Sequence, residues 1–240
     1  MHGLHPTLRI SLVHAPVHLL HARVERVRAA TWEDATLAQL WGPRFSAYVV
    51  AARDVPVFTL GRLPDDARGR ERAVSTADRL VEFLGNRRVP FGEAGRGLGV
   101  PHNSLRYAAA TGRVLMRWDG ARQPAIWAVP APDVDPREAR QELARRYLHV
   151  FGPATPDAFA KWAGLRPAAA RDTFATLHAE LVPVRSPLGA AWLLAADEMA
   201  ARAGADRPAS ARLLPSGDTY FLLWGADRRL LVPDARRRAA

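Results

Sequence analysis

Two separate stretches of this chain spell the same order of local structure, and that repetition limits the folds open to it. The first begins as a helix at Val89-Pro90-Phe91-Gly92-Glu93-Ala94 and turns at Gly99-Val100-Pro101. A second helix then starts at His102-Asn103-Ser104-Leu105-Arg106-Tyr107. Two strand-like runs follow, Arg113-Val114-Leu115-Met116 and Ala125-Ile126-Trp127-Ala128-Val129, with Asp119-Gly120 between them as a hairpin-tip signal. The second stretch opens at Thr155-Pro156-Asp157, a clear helix start, and continues through a helix at 167–174. Its strands are Leu181-Val182-Pro183-Val184 and Ala191-Trp192-Leu193-Leu194, joined at Ser186-Pro187-Leu188-Gly189. Trp127 and Trp192 are separated by nearly the same length of chain as the ribbon starts Val114 and Val182. Helix, turn, helix and ribbon make the winged-helix pattern, whose second helix can enter the major groove of a duplex. The expected fold class is therefore α+β, with tandem winged-helix units and no continuous parallel sheet.

The rest of the chain is arranged around these units. Residues 8–28 are rich in Leu, Val and His and include one helix, with Pro16 restricting where it starts. Phe45-Ser46-Ala47-Tyr48-Val49-Val50 reads as a strand, since β-branched and aromatic residues suit a pleated surface. Asp54 caps a short helix with Val55-Pro56 in its first turn. Pro64-Asp65-Asp66-Ala67-Arg68-Gly69 forms a polar hinge before a helix over 70–85, where Ala73, Ala77, Leu80, Val81 and Leu84 make an apolar stripe. In the helix that starts at His102, Leu105, Ala108 and Gly112 share one side, while Asn103, Arg106 and Ala110 share a side that could face a groove. Another helix covers 136–150. Strands at Arg212-Leu213-Leu214-Pro215 with Tyr220-Phe221-Leu222-Leu223-Trp224, and at Arg229-Leu230-Leu231-Val232, open a β-rich region. The expected division is a partial first winged-helix unit at 1–64, further units at 65–132 and 133–205, and the truncated start of a β region at 206–240.

Charge points to the partner. The formal net charge is +10, and Lys161 is the only lysine among 34 basic side chains. An arginine-favouring genome composition could produce that bias without selection on binding. The excess nevertheless creates a field that attracts polyanions, and arginine makes planar bidentate bonds to phosphate or guanine. Arg87, Arg88, Arg106, Arg113, Arg117 and Arg122 cluster around the reading helix and ribbon of the second unit, 65–132. His102, Asn103 and Ser104 stand at that helix's start, where base-edge and phosphate contacts arise, and Arg44 joins the same DNA-binding set. Surface arginines are also commonly just solvated. Arg236-Arg237-Arg238 reads as a frayed basic tail.

Other chemistries are constrained. The chain has no cysteine, so disulfides, thiolate metal sites and cysteine nucleophiles are excluded. No apolar run approaches the roughly 20 residues that span a bilayer, and the start lacks a secretory pattern, so the expected location is the cytoplasm, at the nucleoid. His14, His18 and His21 fall on one helical face, which fits either a metal site or plain solvated histidines. No carboxylate or cysteine lies among them, so no metal and no cofactor is expected. Gly92, Gly95, Gly97 and Gly99 lack dinucleotide-loop spacing and read as a flexible turn. No coiled-coil heptads or dimer helix are evident, which favours a monomer.

Several further motifs occur in a characteristic order. They are Trp41-Gly42-Pro43-Arg44-Phe45-Ser46-Ala47-Tyr48-Val49-Val50, Phe58-Thr59-Leu60-Gly61-Arg62-Leu63-Pro64, Phe151-Gly152-Pro153-Ala154-Thr155-Pro156 with Trp162-Ala163-Gly164-Leu165, and Arg212-Leu213-Leu214-Pro215 with Asp218 and Tyr220. Together they resemble the bacterial winged helix DNA-binding domain-containing family, related to the azinomycin-resistance and crosslink-unhooking DNA glycosylases. The resemblance implies three tandem winged helices and a β-rich end cradling double-stranded DNA. It also implies a version shortened at both ends. Relatives carry a glutamine motif after a Gly-Leu or Gly-Val pair; here Gly3-Leu4 is followed by His5-Pro6-Thr7. The implied catalytic residues are thus His5 and Thr7, with His5 holding water against the sugar as the base leaves.

Three readings remain open on sequence. The first is a glycosylase-like DNA-binding protein acting on alkylated or crosslinked DNA. The second is a transcription regulator without catalytic activity, which would need one dominant reading helix and paired half-sites. The third is a scaffold using winged helices for protein contact.

Overall fold

Alternation along one short hairpin organises the interior. The computed structural model describes Thr31 and residues 34–118, 123–186 and 189–203. Within it, β1 (Leu37–Trp41) pairs antiparallel with β2 (Ala47–Ala51), setting Leu40 against Tyr48 and Trp41 against Ala47. Successive strand side chains point to opposite faces. Trp41, Ala47 and Val49 therefore enter a first core with Ala77, Leu80, Leu84, Phe91, Leu105 and Ile126. Leu40, Tyr48 and Val50 enter a second core with Phe58, Leu143, Tyr147, Phe159, Trp162 and Phe174. Both faces of the hairpin are buried, so its strands are apolar except at Gln39, whose amide is satisfied by the Trp118 backbone. The expected strand over 45–50 begins later, at Ala47. A tight turn consumes Phe45 and Ser46: Gly42 N donates to Ser46 O at 2.8 Å and Ser46 N donates to Pro43 O at 3.2 Å.

The first core is built on α2 (Ala67–Leu84), after the short α1 (Val55–Thr59). Asp66 caps α2, its carboxylate accepting from Gly69 N at 2.8 Å, so the expected hinge is shortened and the helix starts three residues before residue 70. Ala73, Ala77, Leu80 and Leu84 of the expected stripe are buried, and Val81 is half-buried. Next come β3 (Val89–Pro90), α3 (Phe91–Gly97) and a 3-10 helix over His102–Thr111. Gly92, Gly95 and Gly97 thus lie in a helix rather than a flexible turn. Each faces a close neighbour, Gln123, His102 and Phe83 respectively, that a Cβ would strike.

The 3-10 winding differs from the expected face pattern. Three residues per turn stack positions i and i+3, and Leu105, Ala108 and Thr111 accordingly bury together. Ala110, expected on the outward side with Asn103 and Arg106, is only 7% exposed. Consecutive alanines at 108–110 let the backbone wind tightly against its surroundings. β4 (Val114–Arg117) and β5 (Ala125–Ala128) then complete a three-stranded antiparallel sheet with β3, with β5 central.

The second core gathers α4 (Pro136–Phe151), α5 (Pro156–Ala163) and α6 (Pro167–Thr176). Asp135 caps α4 through Arg137 N and Glu138 N, and Thr155 caps α5 through Ala158 N. The antiparallel hairpin of β6 (Leu181–Ser186) and β7 (Gly189–Leu194) follows, tied to the start of α5 by reciprocal 2.9 Å bonds between Trp192 and Ala154. α7 (Glu198–Ala203) comes last among the described elements. The result is mixed α+β, mostly helical with small antiparallel sheets. Asp54 stands at the cap position of α1, but its carboxylate makes no cap bond, because it is turned toward Arg146. The expected helix within 8–28 and the strands beyond residue 211 lie outside the described residues.

Candidate nucleic-acid interface

The start of the 3-10 helix is open to solvent. His102 and Asn103 are exposed there, and Ser104 is half-buried with its hydroxyl donating to Pro101 O at 2.7 Å. A cleft of about 310 Å³ lies beside this start, lined by Gly92, Gly95, Gly99, Arg96, Val100 and His102. It exists because α3 presents glycines to the incoming helix. His102 meets the Phe91 ring edge-on at 5.2 Å, and the Arg106 guanidinium lies 5.8 Å from the same ring. Burial lowers the pKa of Arg106, and its Nε has no hydrogen-bond partner. That Nε is itself enclosed, so the unfilled donor is a cost of the packing and not an open contact.

The other sequence-selected arginines divide by how far they are already engaged. Arg87 donates to Phe83 O at 2.6 Å and lies 5.2 Å from the Phe83 ring. Arg88 stacks 4.3 Å over Trp127. With the half-buried Arg117 it lines a cleft of about 540 Å³ between β1 and the three-stranded sheet. Buried Gln39 braces that cleft: its Oε1 accepts from Trp118 N at 2.6 Å. Arg113 is bound to Asp78, which offsets part of its charge. Arg44 is exposed on the β1–β2 turn. The structure thus brings His102, Asn103, Ser104 and Arg106 to one helix and sets Arg88 and Arg117 in one cleft. His5, Thr7, Arg122, His14, His18 and His21 lie outside the described residues. Among the described residues no cluster of three metal-ligating side chains occurs, and no helix is long and apolar enough to cross a membrane.

Further arginines were not singled out by sequence. Arg72 of α2 stacks 3.9 Å over Tyr107 of the 3-10 helix, and Arg79 of α2 donates to Leu98 O at 2.9 Å. Two more are buried at the joint between the cores. Arg62 donates from Nη1 to Trp41 O at 2.9 Å and from Nε to Ala163 O at 3.0 Å. Arg140 donates to Gly61 O at 3.2 Å and to Leu63 O. These contacts join distant parts of the chain, so no local pattern announces them.

Two helix pairs, each followed by an antiparallel ribbon and packed against one shared hairpin, define the class: a mixed α+β protein, mostly helical, with cationic side chains around an open helix start. Residues 8–240 match the family described as DNA glycosylase AlkZ-like, and the chain belongs to that family. Its fold is similar to that of Streptomyces sahachiroi DNA glycosylase AlkZ, with a TM-score of 0.64 at 18% identity. That alignment covers 87% of this chain and 65% of the Streptomyces chain. No curated protein matches this sequence.

Proposed function

We propose that this chain binds duplex DNA and acts as a glycosylase on alkylated or crosslinked bases. The observation that carries the reading is membership of the AlkZ-like family across residues 8–240. In this reading the two helix-pair-and-ribbon assemblies, at 65–132 and 133–205, are winged-helix units. The reading includes a partial first unit at 1–64 and the start of a β region at 206–240, in a monomer that works in the cytoplasm on nucleoid DNA. The 3-10 helix enters the major groove by its exposed start, with His102 and Asn103 toward base edges and Ser104 toward phosphate. Arg44, Arg87, Arg88, Arg106, Arg113, Arg117 and Arg122 supply the phosphate contacts. Engagement of Arg113 by Asp78 makes it the weaker contributor, since its charge is already partly matched.

For excision, the C1′–N bond breaks with its electron pair leaving on the base. A water oxygen bonds C1′ and gives up its proton to His5, while Thr7 helps to hold the water. The test is incubation of the chain with duplex carrying an alkylated purine, with binding and cleavage at abasic sites read on the same samples. Binding that weakens steeply between low and moderate salt, with strand breaks lost in His5→Ala, is the expected result. Breaks that persist unchanged in His5→Ala would clear His5, and salt-insensitive binding would remove the phosphate-contact claim.

A further inference from the structure

Arg44 and Phe45 both adopt φ of 56° in the turn between β1 and β2. That left-handed backbone suits glycine, asparagine or aspartate, and other residues hold it at a cost. Turn geometry gives no reason to place arginine and phenylalanine there. Phe45 has a packing reason. Its ring meets Tyr107 edge-on at 5.2 Å and lies 5.6 Å from the Arg62 guanidinium. Arg44 has no such reason: its exposed side chain makes no hydrogen bond, ion pair or ring contact with any described residue.

The backbone beneath Arg44 is nevertheless fixed. Pro43 is buried, and a Cβ on Gly42 would fall 2.5 Å from Cδ2 of Tyr48, so the turn is pressed onto the hairpin it closes. Through Phe45 the turn is also fastened to the 3-10 helix, because Tyr107 belongs to that helix. The Tyr107 ring carries the Arg72 guanidinium as well, at 3.9 Å. Phe45, next to Arg44, and Arg72 therefore meet the same tyrosine of that helix from two separate elements. Strain that the surrounding structure maintains, at a residue whose side chain is left free, is the pattern of a site kept for a ligand. A free guanidinium on a rigid turn forfeits little backbone freedom when it forks onto a phosphate.

We propose that the β1–β2 turn is a phosphate-gripping finger for duplex DNA, with Arg44 as the contact, Phe45 and Tyr107 as its anchor and Arg72 as a second cation. The inference rests on the duplex-binding reading above and deepens it: the Arg44 contact lies outside the reading helix and ribbon, on a turn held by its own anchor and joined by a second cation, Arg72. Arg44→Asn tests it, because asparagine tolerates the left-handed backbone while removing the charge. Duplex affinity measured by fluorescence anisotropy near 0.1 M salt should fall about fivefold to tenfold, and the log–log salt dependence should become shallower by about one. The thermal midpoint should hold or rise. Arg44→Lys should keep the wild-type salt dependence.

Wild-type binding with unchanged affinity and salt dependence in Arg44→Asn overturns the finger alone. A lowered thermal midpoint in Arg44→Asn also overturns it, since the side chain would then serve the fold. Failure of the wild-type chain to bind duplex removes the underlying reading and the finger with it.

Discussion

Asp54 illustrates how a residue can occupy a place that sequence assigns it and still do something else there. It precedes α1 as a cap should, yet its carboxylate accepts nothing from that helix. It is buried, and the nearest guanidinium atoms, on Arg146, stand 3.5 Å away, at the limit of a hydrogen bond. Burial pushes the Asp54 pKa above its ordinary value, while Arg146 and Arg53 pull it back. The folded chain therefore holds this proton more tightly than the unfolded chain does. Stability is gained as pH falls through the raised pKa, and above it the ionised buried carboxylate is a cost. Asp54→Asn keeps the shape without the charge, and Arg146 retains Glu142 at 2.6 Å. The variant should match or exceed the wild-type stability at pH 7, with the gap shrinking toward the unfolded carboxylate value of 3.8. Urea melts near pH 4 and pH 7 would read this, and a variant much weaker at pH 7 would show that the ion pair outweighs burial. The cap position was legible because it is local. The partner that turned the carboxylate away is remote in sequence and left no trace beside Asp54.

At the scale of elements, legibility follows how local the deciding force is. Thr155-Pro156-Asp157 marked the start of α5 because capping is settled within one turn, and both expected ribbons form because hairpin signals are equally short-range. Asp66 could have marked the start of α2 by the same rule, but the charged and proline-containing stretch around it reads as a hinge. The winding of the helix after Pro101 is another matter. Its three-per-turn geometry depends on how closely the chain approaches α2 and α3, which the alanines at 108–110 permit but do not dictate. Gly95 sets that approach: a Cβ there would lie 2.9 Å from both Cα and Cβ of His102. Backbone cannot swing aside as a side-chain tip can, so Gly95→Ala must move the helix start. The displacement should cost about 1–3 kcal/mol, reduced by the better helix propensity of alanine, which is worth about 1 kcal/mol. Chemical denaturation should show a lower midpoint, and duplex affinity should fall with it because His102 and Asn103 are carried on the displaced start. A variant of wild-type stability would mean that the two helices have slack between them.

For the whole molecule, the decisive feature is a hairpin whose two faces feed two cores, and here sequence was least informative. An unbroken apolar run such as Ala47-Tyr48-Val49-Val50 announces burial on both faces but not what covers either. Arg62 shows how the cores are kept in one relation. It is 6% exposed, burial lowers its pKa to about 10, and its two acceptors are neutral carbonyls. A buried cation without a carboxylate against it is a poor source of stability in itself. What it supplies is position: Trp41 belongs to the first core, Ala163 to the second, and one guanidinium bonds both. Arg62→Met would retain the apolar bulk and remove the donors, leaving two buried carbonyls to find new partners. The expected loss is about 2–4 kcal/mol, because orphaned buried acceptors carry their desolvation penalty while the cost of burying the charge is relieved. Cooperativity should change as well. In the wild-type chain, unfolding followed by far-ultraviolet circular dichroism and by tryptophan fluorescence should coincide, since the shared hairpin and Arg62 couple Trp41 to Trp162. In Arg62→Met the two curves should separate, as the second core opens without the first. Coincident curves at an unchanged midpoint would mean that the hairpin alone couples the cores, and that Arg62 is a tolerated burden rather than a staple.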